Sequence, residues 1–240
     1  VPLALCWERS FLPESLDDVP PVDWSDLDLA LYRGNRSSRS GEFIYHFASG
    51  EWAPFLATQG CIYRCAFCEL TSGRQFRRYS PKRVVEELRR LSDIHQTRYI
   101  FLYDNFIHLD KEWFREVLDR LEKKADLVFI VLAMADRLDP ELIDRMLAAG
   151  MRYLACFPES GADRIRRLMR KPIRLDRLLA RMRYASEQGA VVSCSILFGW
   201  PNETADEAEQ SIRLAAEPFI DVVLCNQLIY FAGAELSKLL

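Results

Sequence analysis

The chain has 240 residues, of which 50% are hydrophobic and 28% are charged, and its formal net charge is -3. This length and composition are typical of an ordinary globular chain that buries one sizeable core. The small negative charge excludes a general attraction to nucleic acid or to anionic membranes, and no apolar run approaches the roughly 20 residues that span a bilayer. Since no secretory leader is recognisable, we expect a cytoplasmic protein with neither a nucleic-acid partner nor a membrane partner.

Residues 1–45 differ in character from the rest of the chain. Four prolines interrupt this region and exclude a continuous helix or a central strand. Its scattered apolar residues, such as Leu16 and Trp24, predict an irregular arm that packs along a surface rather than a disordered tail. We divide the chain into a linker or wrapping arm at 1–45 and a folded domain at 46–240. Because the chain begins with Val1, we expect a piece of a longer protein, truncated at the C-terminus as well.

From Trp52 onward, short apolar runs alternate with amphipathic stretches. Such near-continuous apolar runs are typical of strands that are buried on both faces. We predict six strands, at 52–58, 99–103, 127–132, 153–157, 191–198 and 222–229. Strands that alternate with helices are parallel and are joined by right-handed crossovers. A complete eight-unit barrel takes about 250 residues, so the domain is predicted to be an α/β fold, a partial (β/α)6 TIM-type barrel.

Local signals mark the helix ends. A capping residue followed by proline begins two helices, a glycine ends two, and a Thr-x-x-Glu capping box begins another. These signals are at Ser80, Asp139, Gly150, Gly189 and Thr204. They support the alternation of strands and helices independently of the apolar pattern.

Three of the seven cysteines, Cys61, Cys65 and Cys68, share one short loop after the first predicted strand. Thiolates at these spacings can hold three irons of a 4Fe-4S cube and leave the fourth iron without a protein ligand. The next cysteine, Cys156, lies far along the chain, so a fourth ligand from a nearby residue is not expected. An open iron indicates chemistry rather than simple electron transfer.

Other interpretations of this loop stay open. A structural zinc site uses four closed ligands, usually in two pairs, and the sequence has no second pair. The histidines, at positions 46, 95 and 108, fall at no Cys/His finger spacing. Disulfides are disfavoured because the cysteine count is odd. The alternative that we retain is a non-enzymatic iron-sulfur or zinc protein in which Cys156 or Cys194 closes the site.

The C-x3-C-x2-C loop resembles that of the radical S-adenosylmethionine (SAM) enzymes. The resemblance implies a 4Fe-4S cluster on Cys61, Cys65 and Cys68, whose free iron chelates the amino and carboxylate groups of SAM. In that family an electron from the cluster cleaves SAM to methionine and a 5'-deoxyadenosyl radical, which abstracts hydrogen from a substrate. The resemblance also implies an electron donor, such as flavodoxin or ferredoxin, and a small-molecule or peptide substrate.

Residues that follow the predicted strands carry the resemblance further, at the edge where barrel enzymes place their chemistry. Phe67 matches the aromatic residue that packs on the SAM adenine, although a core phenylalanine is the alternative. Glu159 and Ser160 match a Glu-Ser-Gly segment whose carboxylate can accept hydrogen bonds from the ribose. Gly199 matches a glycine that lets the backbone approach the adenosyl group. Asp104 could meet SAM or the substrate, or cap the next helix. We assign no catalytic residue.

The alternative for Glu159 is a cap for the helix that begins near Ala162. The sequence also departs from the family pattern. Met134 stands where relatives often have an arginine that could pair with the SAM carboxylate, and Arg137 could replace it or bond within its own loop. The other departures are Ile62, Phe157, Pro158 and Asn202.

The stretch from Leu12 to Asp23 resembles the linker that follows an N-terminal cobalamin-binding domain in cobalamin-dependent radical SAM proteins. This implies cobalamin on a domain absent from this chain, and a methylation or rearrangement as the reaction. No Asp-x-His-x-x-Gly segment occurs that could supply a lower cobalt ligand. A radical SAM enzyme that modifies RNA, such as a methylthiotransferase, is the alternative. It would need a second cysteine trio and a basic RNA-binding module, and the sequence shows neither.

Overall fold

The computed structural model describes residues 13, 15–23, 52–69, 73–122 and 126–238. Its strands are β1 (Trp52–Phe55), β2 (Thr58–Gln59), β3 (Arg77–Arg78), β4 (Tyr99–Leu102), β5 (Val128–Ala133), β6 (Met151–Glu159), β7 (Val191–Phe198) and β8 (Val222–Gln227). Six of them form one parallel sheet in the order β1-β4-β5-β6-β7-β8. The short strands β2 and β3 form a separate antiparallel hairpin.

Helices connect the strands of the parallel sheet. They are α1 (Pro81–His95), α2 (Lys111–Glu122), α3 (Pro140–Ala148), α4 (Asp163–Leu168), α5 (Leu175–Glu187) and α6 (Ala205–Ala215). Short 3-10 helices lie at Leu16–Asp18, Ile107–Leu109, Ala135–Arg137 and Leu236–Lys238. A helix lies between every two successive strands of the parallel sheet, so the predicted α/β partial barrel is confirmed. In the part of the chain that the structure describes, no helix is long and apolar enough to cross a membrane.

The predicted capping residues begin their helices. The side chains of Ser80 and Asp139 each accept the backbone N–H of the residue three positions later, before α1 and α3. Thr204 and Glu207 form the reciprocal capping box of α6. After α3, Gly150 has a φ of 111°, and a Cβ there would lie 2.1 Å from the carbonyl oxygen of Leu127. Only glycine fits that position, so the helix ends where the sequence predicted.

Strand side chains alternate between two faces of the parallel sheet. One face packs against the helices and forms the main core, which includes Ile100, Val131, Leu154, Cys156 and Cys194 together with Leu88 and Leu142 of the helices. The face that is turned away from the helices carries a smaller cluster of Phe101, Ile130, Tyr153 and Ala155. The near-continuous apolar runs therefore reflect burial on both faces.

The first predicted strand is divided into two elements in the structure. β1 ends at Phe55, and Thr58 and Gln59 pair with the hairpin partner β3. At the turn that follows, Gly60 has a φ of 90°, and a Cβ there would lie 2.1 Å from the carbonyl oxygen of Gln75. The hairpin closes both ends of the loop that carries the three cysteines. Its strands are two residues long, too short for an apolar pattern to reveal.

β6 is longer than the predicted strand at both ends. Its pairing with β7 shifts register between Cys156 and Glu159, and Glu159 has a φ of 66°. Pro158 lies in this irregular stretch and lacks the N–H that a regular ladder needs. The bulge sets the direction of the Glu159 side chain at the carboxyl edge of the sheet.

The described part of the N-terminal arm lies along α1. The Asp17 carboxylate accepts the backbone N–H of Ser80 at 2.8 Å, and Arg90 donates to the carbonyl oxygen of Val22 at 3.0 Å. Leu16 is buried. This packing agrees with a wrapping arm. Trp24 and residues 24–45 lie outside the described residues, and the division at residue 45 stays a prediction.

Candidate functional site

The cysteine loop (residues 60–69) is tied to three other segments by backbone hydrogen bonds. Cys61 donates to the carbonyl oxygen of Gly73 at 3.2 Å, next to the hairpin. Ala66 donates to the carbonyl oxygen of Met169, just after α4, at 2.9 Å, and its own carbonyl oxygen accepts the N–H of Leu236 at 2.8 Å. Because only the short strand β2 separates the loop from the end of β1, these bonds hold the cysteines at the carboxyl edge of the parallel sheet.

The three cysteines of the loop are free thiols, with Cys61 buried, Cys65 half-buried and Cys68 exposed. Burial raises the pKa of all three thiols, to about 11 for Cys65. Cys68 also raises the pKa of Cys61, and both of these thiols raise the pKa of Cys65, whereas the nearby ammonium group of Lys171 lowers the pKa of all three. The thiols therefore lie close together, and one cation acts on all of them.

This donor set fits an iron-sulfur cluster. Clusters of this kind are held by thiolates, and a cation beside the thiols stabilises their negative charge. Metal binding deprotonates the thiols, so their raised pKa values imply release of protons on loading. Within the described ranges, no group of three His, Cys, Asp or Glu side chains is placed to hold a single metal ion.

Lys171 connects the cysteine loop with the end of β6. Its ammonium nitrogen lies 3.0 Å from Oε1 of Glu159, and the two side chains are 6% and 9% exposed. The same nitrogen lies 5.9 Å from the centre of the Phe67 ring and 6.0 Å from that of Phe157. Burial favours the neutral amine, but the Glu159 carboxylate and the thiols outweigh it and raise the pKa of Lys171. The cation therefore stays charged beside the loop.

Phe67 is half-buried rather than a full member of the core. Its ring meets the ring of Trp200 edge to face, with 6.5 Å between the ring centres. It packs against a small cluster that includes Leu197 of β7. The ring is therefore partly exposed, and the adenine contact stays a prediction.

Ser160 uses its hydroxyl group inside the fold. The Oγ atom lies 3.1 Å from Oγ of Ser211 on α6 and accepts the N–H of Ala162 at 3.1 Å. At the next residue, a Cβ on Gly161 would lie 2.3 Å from the carbonyl oxygen of Gln210. The Ser-Gly pair thus lets β6 approach α6 closely. A cofactor contact at Ser160 stays a prediction, and its hydroxyl is already engaged.

Gly199 follows β7 with a φ of 87°, and its N–H donates to Oε2 of Glu203 at 2.8 Å. Beyond its chain neighbours, no atom of the described residues lies within 4 Å of the place where a Cβ would stand. This open space is compatible with the predicted close approach of the backbone to SAM. Asn202, which replaces the family's glycine, has a φ of 62°, in the left-handed region that asparagine tolerates.

Asp104 is fully buried and anchors the start of the hairpin. Its Oδ1 accepts the backbone N–H of Thr58 at 2.5 Å and the Thr58 hydroxyl at 2.6 Å. Its Oδ2 is buried and forms no hydrogen bond with the residues described, and burial raises the pKa of Asp104 to about 6. Asp110, not Asp104, accepts the N–H of Trp113 at the start of α2. Asp104 therefore does not cap that helix, and it positions the segment that leads into the cysteine loop.

We expect Thr58→Val to destabilise the protein by about 1.5 to 3 kcal/mol, because a buried acidic side chain loses a hydroxyl donor. Thr58→Ser keeps that hydroxyl group and should retain most of the stability. Urea denaturation of the two variants measures the effect. Equal stability of the Thr58→Val variant and the wild type would show that Asp104 does not anchor the hairpin through this hydroxyl group.

Met134, which stands where relatives often have an arginine, is part of the core. Its exposed fraction is 1%. Arg137 donates to the carbonyl oxygen of Pro172 at 3.1 Å, and its Nε lies 3.5 Å from Oδ2 of Asp136. Its side chain is 48% exposed. Arg137 therefore bonds to neighbouring groups of the rim, which matches the alternative of a local contact.

Lys171 was not identified from the sequence. It ends a basic stretch in which Arg167 and Arg170 are exposed and pair with Asp163 and Glu235. Charge alone does not distinguish these residues. Only the turn after α4 directs the Lys171 side chain inward. In the sequence, the one local feature that marks Lys171 is that it precedes a proline.

A parallel partial barrel with three free thiols at the carboxyl edge of its first strand defines the class of iron-sulfur enzymes built on such barrels. The family model described as "Radical SAM superfamily" matches residues 55–215. This match covers more than half of the chain, so the chain belongs to the radical SAM superfamily. Members of this superfamily use a 4Fe-4S cluster and SAM.

Two curated proteins illustrate the similarity in sequence. Cytidylyl-2-hydroxyethylphosphonate methyltransferase of Streptomyces wedmorensis is 27% identical over 213 residues, which cover 84% of this chain and 39% of that protein. The anaerobic magnesium-protoporphyrin IX monomethyl ester cyclase of Rubrivivax gelatinosus is 24% identical over 208 residues, which cover 85% of this chain and 35% of that protein. The chain thus spans well under half the length of these relatives.

Solved structures show the same fold. The radical SAM methyltransferase TsrM from Kitasatospora setae, with cobalamin and a [4Fe-4S] cluster bound, superimposes with a TM-score of 0.71 at 17% identity, over 81% of this chain and 37% of that one. The cobalamin-dependent SAM radical enzyme OxsB, with aqua-cobalamin and SAM bound, gives a TM-score of 0.58 at 18% identity, over 67% and 26% of the two chains. At these identities the likeness supports the fold alone.

Proposed function

We propose that Cys61, Cys65 and Cys68 hold a 4Fe-4S cluster and that SAM binds at its open iron. When bound, the cluster supplies the electron that cleaves SAM and yields a 5'-deoxyadenosyl radical. The observation that carries the proposal is the group of three free thiols in one loop beside the buried Lys171 ammonium. Electron uptake adds negative charge to the loop, and a fixed cation at short range favours that change.

The residues around Lys171 form the proposed SAM site. Oε1 of Glu159 accepts a hydrogen bond from the Lys171 ammonium group, and Oε2 has no hydrogen-bond partner among the described residues. This oxygen can accept hydrogen bonds from ribose hydroxyl groups. The same ammonium group lies over the Phe67 ring, which is the proposed packing surface for the adenine. The open space at Gly199 leaves room for the adenosyl group to contact the protein backbone there.

For the reaction, we propose a cobalamin-linked methylation, or a related rearrangement, of a small-molecule or peptide substrate. The names of the relatives support it, since one curated relative is a methyltransferase and TsrM binds cobalamin. The cobalamin would be held by a part of the protein outside this chain. A flavodoxin or ferredoxin is the proposed electron donor, in the cytoplasm.

The experiment is anaerobic reconstitution with iron and sulfide, followed by dithionite and SAM. We expect the loaded protein to form 5'-deoxyadenosine, measured by mass spectrometry, and to lose its iron on exposure to air. A fully loaded protein that forms no 5'-deoxyadenosine would contradict the proposal. Full iron occupancy after prolonged aerobic purification would instead indicate a closed site.

A further inference from the structure

His108 is buried, and no described residue forms a hydrogen bond with its side chain. It lies in the 3-10 helix Ile107–Leu109 after β4, is 2% exposed, and neither Nδ1 nor Nε2 has a partner among the residues that the structure describes. Burial lowers the pKa of His108 to about 3, so the imidazole is neutral and has one donor and one acceptor nitrogen. Leaving such buried groups unpaired is unfavourable, because they have given up their hydrogen bonds to water. This side chain is therefore suited to a bound polar group.

A line of aromatic rings joins His108 to the cysteine loop. The Phe106 ring meets the His108 ring edge to face at 5.8 Å, and it meets the Tyr63 ring edge to face at 5.4 Å. Tyr63 lies between Cys61 and Cys65 and interacts electrostatically with both. A ligand at His108 would therefore lie beside the loop that we propose holds the cluster.

Two of the charged groups that surround His108 in the described structure are cations. After burial, the positive charges of Lys111 on α2 and Arg137 after β5 each lower the pKa of His108 further. The Lys111 ammonium is bound to Asp139 at 3.0 Å, whereas the Arg137 side chain is about half exposed. Arg137 and the donor nitrogen of His108 together favour an anionic oxygen group.

A buried acceptor lies next to Arg137. Oδ2 of Asp136 accepts the N–H of Arg174 at 3.2 Å, but its Oδ1 is buried and has no hydrogen-bond partner in the described part of the chain. Tyr63 interacts electrostatically with both Asp136 and Arg137. The unpaired carboxylate oxygen is suited to a donor that carries positive charge, such as an ammonium group.

We propose that Tyr63, Phe106, His108, Asp136 and Arg137 form a substrate subsite, the β4–β5 rim site, that binds the head group of an amino-acid-type substrate. His108 and Arg137 bind its carboxylate, and Oδ1 of Asp136 binds its ammonium group. The inference rests on the proposed function, in which the open iron takes the equivalent head group of SAM. The rim site is therefore left for the substrate.

Small probes test this inference on the reconstituted protein with SAM bound. The probes are L-alanine, propionate and ethylamine, and the readout is the nitrogen NMR signal of the His108 imidazole. The chain has three histidines, so the signal is assignable by substitution. We expect L-alanine to shift this signal saturably and to bind about tenfold more tightly than propionate, because only L-alanine has an ammonium group for the Asp136 carboxylate; tenfold corresponds to about 1.4 kcal/mol. Ethylamine should bind most weakly.

Three variants separate the contributions. Asp136→Asn should remove the higher affinity for L-alanine over propionate. Arg137→Gln and His108→Phe should weaken the binding of both probes. For His108→Phe, which lacks the imidazole signal, binding is measured by calorimetry. His95→Gln, in the last turn of α1, is the matched control and should change nothing. SAM affinity should be unaffected in every variant.

Two results would overturn the inference. One is a loaded, SAM-binding protein whose His108 signal responds to no probe, or a crystal structure in which only ordered waters satisfy the imidazole in the presence of L-alanine. The other is equal affinity for L-alanine and propionate, which would exclude Asp136 from the site. Iron content and SAM binding are measured on the same sample, so failure of the cluster itself would be recognised separately.

Discussion

Replacement of Cys61, Cys65 or Cys68 by alanine should abolish the iron-sulfur absorbance at roughly 400 nm, because each thiolate holds one iron. We expect the loss to be complete for each single variant, with iron and sulfide analysis as the measurement. The structure adds a reason for this prediction, since the backbone of this loop is tied to the hairpin and to the end of α4. These bonds fix the positions of the three thiols relative to one another.

The other described cysteines are the controls. Cys156 and Cys194 lie on the helix side of the sheet, opposite each other on β6 and β7, and Cys225 is exposed on β8. Alanine at any of them should leave the cluster intact, and the same is expected for Cys6, which lies outside the described residues. Loss of the cluster in Cys156→Ala alone would mean that the site is closed by a fourth protein ligand, and the open-iron proposal would be wrong.

Replacement of Glu159 by alanine should weaken SAM binding by about tenfold or more, because the ribose loses charge-assisted hydrogen bonds of about 1.5 to 3 kcal/mol each. The cluster should remain. The helix-capping alternative finds no support, since Ala162 is the N-cap of α4 and no side chain caps it. The ion pair with Lys171 introduces a different structural effect. Removing one partner of a buried pair costs about 3 to 5 kcal/mol, so the stability should fall as well.

The double variant Glu159→Gln/Lys171→Met separates these effects. It leaves no buried charge unpaired, so its stability should return close to that of the wild type, while SAM affinity stays low. The exposed pair Arg170 and Glu235 is the matched control, and Arg170→Met/Glu235→Gln should change neither property. Titration of SAM into the reconstituted proteins is the measurement. A double variant that binds SAM like the wild type would remove Glu159 from the proposed contacts.

Much of the site could be predicted because its signals are local. The spacing of Cys61, Cys65 and Cys68 lies within one loop, and the apolar runs placed that loop after the first strand. Cap residues such as Ser80 and Thr204 act on atoms three residues away, so their effect is visible in the sequence. The buried pair of Lys171 and Glu159 joins residues 12 positions apart across a turn and a short helix, and no periodic pattern predicts such a contact.

By itself, the sequence determined the alternation of strands and helices, the capped helix starts and the thiol loop, since each depends on short-range spacing or on periodic burial. Only the tertiary structure decided which polar groups meet. Asp104 reaches Thr58 across 46 positions, and Ser160 reaches Ser211 across 51. Packing placed His108 where no described residue bonds to its imidazole, and Lys171 alone of its basic stretch turned toward the thiols. These outcomes follow from the relative placement of whole strands and helices, and that placement depends on the packing of the entire core.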